Sequence, residues 1–150
     1  MRGFIRMMPY SRKRTPLATS MLSAGPAFEV SDDHQMIDIA ELVTNGREGF
    51  VAFIVDGDSM VDEIRPGSIV FVDTWAEPRN GDIVATVVNG CNSVKIFQRD
   101  THGLHLVPKN PEHPPRTVQP TDALHILGVV RGSLFLFRTA MLALGAIIAL

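Results

Sequence analysis

Six short apolar runs, each separated from the next by turn-forming residues, restrict the fold more than any other feature of the chain. The runs are rich in β-branched and aromatic residues and occupy positions 49–55, 68–73, 81–88, 92–98, 104–108 and 125–137. Turn formers such as Asn89-Gly90 and Pro114-Pro115 bound them. No 12-residue helical stripe lies between the runs, so we predict a mainly β fold of rolled antiparallel sheets. Segment 36–43 fits either a short helix or a strand.

The two ends of the chain differ from this middle. Residues 1–24 hold five of the 14 basic residues and no acid, whereas the rest of the chain has a net charge of −7. No apolar segment of signal-peptide type follows the basic start. We therefore predict a flexible N-terminal arm over residues 1–35, irregular and extended from residue 15, with an organelle transit peptide as the less favoured alternative. The functional domain is predicted over residues 36–138.

An uncharged apolar tail occupies residues 139–150. It is too short to span a bilayer, which takes about 20 residues. We therefore expect it to cover an apolar surface or a partner subunit, and we do not expect membrane association.

Composition excludes several classes of protein. A chain of 150 residues is long enough for one domain with a real core. The net charge of −2 gives no electrostatic reason to expect DNA binding by the whole chain. The single cysteine, Cys91, excludes a disulfide framework and a cysteine-based zinc site, and it fits a reducing cytoplasm. We predict neither a metal nor a cofactor.

A serine in a turn between two apolar runs is the first candidate catalytic residue. It is Ser59, within the sequence DGDSM at positions 56–60. Calcium binding is excluded because Met60 and Val61 stand where an EF-hand needs an oxygen ligand and a glycine. The elbow of α/β-hydrolases is excluded because Asp58 precedes the serine and no second glycine follows. The histidines show no metal-binding spacing, so structural roles are expected for them.

Lysine is the candidate base for this serine. Lys95 lies inside an apolar run, between Val94 and Ile96. Its side chain either faces solvent or is buried so that the amine is desolvated for a catalytic role. The residues alone leave both alternatives open. A lysine activates a serine only as the neutral amine, so its pKa would have to fall from about 10.4 by roughly 3 units. Burial among apolar neighbours can lower the pKa in this way.

Four motifs resemble the self-cleaving peptidase domain shared by LexA, phage repressors and UmuD. They are GDSM with the strand after it, GDIVATVV followed by VK 36 positions after the serine, LHLVPKNP, and ILGVVRGS. The resemblance extends from about Ile37 to Arg138. It implies that Ser59 is the nucleophile and Lys95 its general base. Pro66-Gly67-Ser68 departs from the family pattern before the next strand without affecting either residue.

The resemblance also implies a cleavage site in the arm, at a small residue followed by glycine. Ala24-Gly25 fits, 34 residues before Ser59, and no other Ala-Gly pair occurs. Since only 24 residues precede this bond, a helix-turn-helix domain does not fit there, and we expect no sequence-specific DNA binding. UmuD is therefore the closer likeness. It implies a homodimer, an SOS response in which a RecA filament on single-stranded DNA stimulates cleavage, and a Y-family UmuC-like polymerase as partner in translesion synthesis.

Three alternatives remain open. Type I signal peptidases also combine a Ser-Met pair with a lysine, but Asp62 stands where they have a proline, and no N-terminal anchor is visible. A non-catalytic binding module could keep the fold without using the serine and lysine. A phage-type, repressor-related protein without a DNA-binding domain could use the same fold to engage RecA.

Overall fold

The computed structural model describes residues 15–18 and 34–137, and these fall into two compact units divided between Arg47 and Glu48. In the first unit, strand β1 (Thr15–Ala18) pairs antiparallel with strand β2 (His34–Ile37), and helix α1 (Ile39–Thr44) follows. The prediction of an irregular segment over 15–35 is therefore wrong at both of its ends, because backbone pairing orders residues whose sequence shows no strand pattern.

Segment 36–43, predicted as either helix or strand, contains the end of β2 and most of α1. The boundary between them is Asp38, whose Oδ1 accepts hydrogen bonds from the backbone N–H of Ala40 (2.9 Å) and Glu41 (3.2 Å). These two bonds satisfy free donors of the first helical turn and begin the helix. Asn45 ends it in the left-handed conformation, with a φ of 52°. No helix in the described ranges is long and apolar enough to cross a membrane.

Within residues 48–137, the second unit contains one antiparallel sheet of seven strands. They are β3 (Phe50–Ile54), β4 (Ile69–Asp73), β5 (Ile83–Val88), β6 (Cys91–Asp100), β7 (Gly103–Val107), β8 (Arg116–Thr117) and β9 (Leu124–Leu134). Their order is β3-β4-β9-β5-β6-β7-β8, so the last strand in sequence lies between β4 and β5. The predicted mainly β, antiparallel fold is confirmed. Each of the six predicted runs overlaps one strand, and of the seven strands in this sheet only the two-residue β8 was not predicted.

Apolar residues are buried on both faces of the central strands. One core cluster gathers Met60, Ile64, Val70, Val72 and Ala85. The other gathers Val84, Val88, Phe97, Leu106 and Val129. Because Val84 and Ala85 are neighbours on β5 and belong to different clusters, this strand is covered on both sides. Burial of both faces explains why the sequence of β5 is a nearly continuous apolar run and does not alternate with polar residues.

Strand β9 contains two bulges that curve the sheet. Its pairing with β4 shifts between Phe71 and Val72, and its pairing with β5 shifts between Ala85 and Thr86. The extra residues are Arg131 in the first case and Leu127 in the second. A bulge increases the local twist of a strand, so two of them on one central strand increase the twist of the sheet where β4, β9 and β5 meet.

Candidate active site

Ser59 lies in the long connection between β3 and β4. Two backbone hydrogen bonds close the base of this loop, from Val55 N to Ser68 O and from Gly67 N to Val55 O, each 2.8 Å. Met60 and Ile64, each 2% exposed, anchor the loop in the first core cluster. Ser59 itself is half-buried at the position before Met60. The buried methionine thus fixes the backbone that presents the serine hydroxyl.

Lys95 reaches this hydroxyl from strand β6. The side-chain Nζ donates a hydrogen bond of 2.7 Å to Ser59 Oγ and a second of 3.0 Å to the carbonyl oxygen of Val94. In the strand register Lys95 stands opposite the buried Val84 of β5, and Val94 stands opposite Ala85. A central strand pair therefore positions the amine, and no loop is needed to bring it to the serine.

Burial lowers the pKa of Lys95 below the ordinary value for lysine. The physical cause is desolvation, which disfavours the charged ammonium relative to the neutral amine. A neutral amine has a lone pair and can accept a proton from the serine hydroxyl at the observed distance. Lys95 is half-buried in the structure, which favours the desolvated one of the two alternatives that the sequence left open.

A cleft of about 350 Å³ opens beside the Ser59 hydroxyl. Its walls come from the end of β3 and the residues after it, from β5 and β6, and from the β9 bulge; they include Phe53, Ile54, Val55, Ala85, Thr86, Ser93, Val94 and Leu127. Thr86 Oγ1 lies 3.0 Å from Ser93 Oγ, which joins β5 to β6 within the cleft. The extra residue of the second bulge of β9, Leu127, forms part of this wall.

A second loop, after β7, holds the backbone at the serine. The N–H groups of Lys109 and Asn110 both donate to Ser59 O, each over 3.0 Å. Asn110 Nδ2 donates to Asp58 O over 3.2 Å, and His113 Nε2 lies 2.7 Å from Asp58 Oδ1. A structural role was predicted for His113, but its contact with Asp58 was not. The pair is separated by 55 residues in the chain, so no local signal could have found it.

The structure brings together Ser59 and Lys95, the two predicted catalytic residues. Their assignment as nucleophile and base stays a prediction. The predicted cleavage site, Ala24-Gly25, lies outside the described residues. Among the described residues no group of three or more His, Cys, Asp or Glu side chains could hold a metal ion.

Comparison with protein families adds an independent observation. Residues 16–131, which include Ser59 and Lys95, match the family model described as Peptidase S24-like. The chain belongs to the Peptidase S24-like family. As an S24 peptidase it is of the LexA/UmuD-like type, so the family that the motifs indicated is confirmed, and self-cleavage is what this family implies.

Curated proteins with similar sequences are named LexA repressors. The one from Desulfatibacillum aliphaticivorans is 30% identical over 85% of this chain and 64% of its own length. The one from Syntrophobacter fumaroxidans is 30% identical over 91% of this chain and 72% of its own length. The one from Oleidesulfovibrio alaskensis is 38% identical over 78% of this chain and 56% of its own length. The chain thus spans 56 to 72% of the length of these relatives.

Proposed function

We propose that this S24 peptidase cleaves its own chain between Ala24 and Gly25, with Ser59 as nucleophile and Lys95 as general base. The observation that supports this most directly is the 2.7 Å contact between Lys95 Nζ and Ser59 Oγ at the edge of a cleft. The lowered pKa of Lys95 supports the same roles, because a desolvated amine is available as a base.

The reaction follows from these two groups. Lys95 Nζ takes the proton from Ser59 Oγ as the oxygen attacks the carbonyl carbon of Ala24. When the tetrahedral intermediate collapses, the bond from Ala24 to the Gly25 nitrogen breaks, and Lys95 returns the proton to that nitrogen. Water, deprotonated by Lys95, then releases Ala24 from the ester on Ser59. The products are residues 1–24 and a chain that begins at Gly25.

The biological role proposed here is that of a UmuD-like protein of the SOS response. A RecA filament on single-stranded DNA would stimulate cleavage, and the cleaved homodimer would serve as accessory subunit of an error-prone Y-family polymerase in the cytoplasm.

A repressor-related role is the second candidate. It is favoured by the names of the relatives, since those compared above are all called LexA repressor. In that role cleavage would inactivate a DNA-binding protein instead of activating a polymerase subunit. A non-catalytic module with the same fold is the third candidate, and it predicts no cleavage at all.

Intact-mass measurement tests the proposal directly. The purified chain is incubated at neutral and alkaline pH, with and without RecA filament, beside a Ser59→Ala control. We expect a new chain that begins at Gly25 in the wild type, more of it with RecA, and none from the control. A product that begins elsewhere would contradict the assigned bond, and an intact wild-type chain under all conditions would favour the non-catalytic module.

A further inference from the structure

Lys95 holds the side chain of Ser59 by a hydrogen bond. A different part of the chain, the loop after β7, holds Asp58, the residue before the serine. The segment between the buried residues Val55 and Met60 contains Gly57, whose φ is 101° and around which an added Cβ would meet nothing within 4 Å. A glycine in open space places few limits on the backbone. Packing therefore does not hold Asp58 in place, and its hydrogen bonds have to do so.

One of these bonds, from Val61 N to Asp58 O over 3.0 Å, lies within the serine loop, and the others come from the loop after β7. The bonds from Lys109 and Asn110 use backbone oxygens, and so they locate the chain without involving the side chain of Asp58. His113 Nε2, 2.7 Å from Asp58 Oδ1, is the contact that fixes this side chain. The His113 backbone N–H donates in turn to Asn110 O over 3.1 Å, so the imidazole sits on the same turn that binds Ser59 O.

We propose that His113 is a positioning residue for Ser59. By binding Asp58, it holds the residue next to the nucleophile and keeps Ser59 Oγ within reach of Lys95 Nζ. The inference rests on the proposed peptidase function. It adds the side chain of His113 to those of Ser59 and Lys95 as a group that influences the rate of self-cleavage. A misplacement of about 1 Å at a reacting atom can slow a reaction on the order of 100-fold, so a small movement of the loop is sufficient.

The exposure of this pair separates the proposed role from a purely stabilising one. The side chains of His113 and Asp58 are 42% and 57% exposed. A surface pair of this kind contributes little to the free energy of unfolding. Removing it is therefore expected to leave the fold intact and to change the placement of the serine.

The chain offers a matched control in a second histidine–aspartate pair. His105 Nε2 lies 3.1 Å from Asp100 Oδ1 at the β6–β7 hairpin, with side-chain exposures of 20% and 45%. This pair makes no hydrogen bond to the Ser59 loop among those described. The variant His105→Phe therefore removes this contact, together with the 2.9 Å contact between His105 Nδ1 and Thr117 Oγ1, without touching the nucleophile.

The experiment compares full-length variants by three measurements: the rate of self-cleavage at alkaline pH, the rate at which a fluorophosphonate labels Ser59, and the midpoint of thermal unfolding. We expect His113→Phe to slow cleavage and labelling about three- to tenfold with little change in the midpoint. His113→Gln, which keeps an N–H donor, should recover most of the rate, and His105→Phe should match the wild type.

A double-mutant cycle gives a second route to the answer. Asp58→Ala should slow both reactions by a similar factor, and adding His113→Phe should have no further effect, because the two residues act through one contact. Wild-type rates for His113→Phe, equally slow His113→Gln, or additive effects in the cycle would each overturn the inference while Ser59 remains active. A wild-type chain that neither cleaves itself nor takes the label overturns the proposed function, and the inference falls with it.

Discussion

At the residue scale, the protonation state of Lys95 governs the proposed reaction. The ammonium can only donate hydrogen bonds, so the base must be the neutral amine. Burial lowers the pKa of Lys95, which increases the neutral fraction at any given pH. The rate of unassisted cleavage is therefore expected to rise with pH through the folded-state pKa and to reach half its plateau below about 10.4, the ordinary value for lysine.

Rates of self-cleavage measured from about pH 7 to pH 11 check this expectation. Lys95→Ala should reduce the rate at least about 1000-fold, and combining it with Ser59→Ala should have no additional effect. Lys95→Arg should be as inactive as Lys95→Ala, because guanidinium does not lose its proton in this range. A flat pH profile, or an active Lys95→Arg chain, would show that the base lies elsewhere.

The same desolvation predicts an effect on stability. The unfolded chain binds the Lys95 proton more tightly than the folded chain does, so this residue destabilises the fold below its folded-state pKa. The penalty disappears as the pH rises from the folded-state pKa to the unfolded one. We expect Lys95→Met to raise the thermal midpoint by about 1 to 4 °C at neutral pH and by less near pH 10. A larger gain at the higher pH would contradict this account of the pKa.

At the element scale, the long strands of the second unit could be predicted from the sequence, and the contacts between loops could not. Alternation and turn formers located all the long strands of the second unit, since each strand depends on local residues. The partners of β9 were not predictable, because its place between β4 and β5 is set by pairing between residues that lie 36 to 65 positions apart in the chain. The contact between His113 and Asp58 could not be predicted for the same reason.

Gly128 shows how closely β9 fits between its neighbours. A Cβ added there would collide with the backbone oxygen of Asp73 and would lie 2.8 Å from Val72 Cγ1. Backbone atoms of a central strand cannot move aside easily, so Gly128→Ala should lower the free energy of unfolding by about 1–3 kcal/mol. Because Gly128 pairs with Ala85 on β5, which in turn pairs with β6, the rate of cleavage should fall as well.

Urea titration of Gly128→Ala beside Gly90→Ala tests this fit. Gly90 also has a positive φ, 82°, but an added Cβ there would meet nothing within 4 Å. The control therefore measures backbone strain without a collision. If the two substitutions lower the urea midpoint equally, then the close approach of β9 to β4 does not limit stability.

At the scale of the whole molecule, an exposed apolar surface follows the end of β9. Phe135, Leu136 and Phe137 are 38%, 47% and 77% exposed. Because these apolar side chains are exposed, we expect a homodimer that buries this segment. A stable interface covers about 800 Å² on each partner, so the dimer contact has to extend beyond these three residues. Light scattering at micromolar concentration should report a dimer, and Phe137→Glu should shift it towards the monomer. Trp75→Glu, at a residue 71% exposed beyond the opposite end of β4, is the control. A wild-type monomer would contradict the expectation.

Cleavage is expected to act as a one-way switch on this molecule. Removing residues 1–24 takes away five positive charges and changes the formal charge from −2 to −7, termini ignored. Before cleavage, Ala24 has to reach Ser59, so the arm would cover the cleft and any partner surface beside it. Hydrolysis cannot be reversed by rebinding of the released peptide, and the uncovered state would persist.

A comparison of two chains tests the switch and separates the candidate functions. One chain begins at Gly25, and the other is full-length Ser59→Ala, which cannot cleave itself. We expect only the first to support synthesis past a template lesion by a Y-family polymerase with RecA-coated DNA, because only its partner surface is free. If the uncleavable chain supports bypass equally well, the non-catalytic module replaces the switch. If neither chain does, but uncleaved protein binds DNA and loses that binding on cleavage, the repressor-related role that the relatives' names favour takes its place.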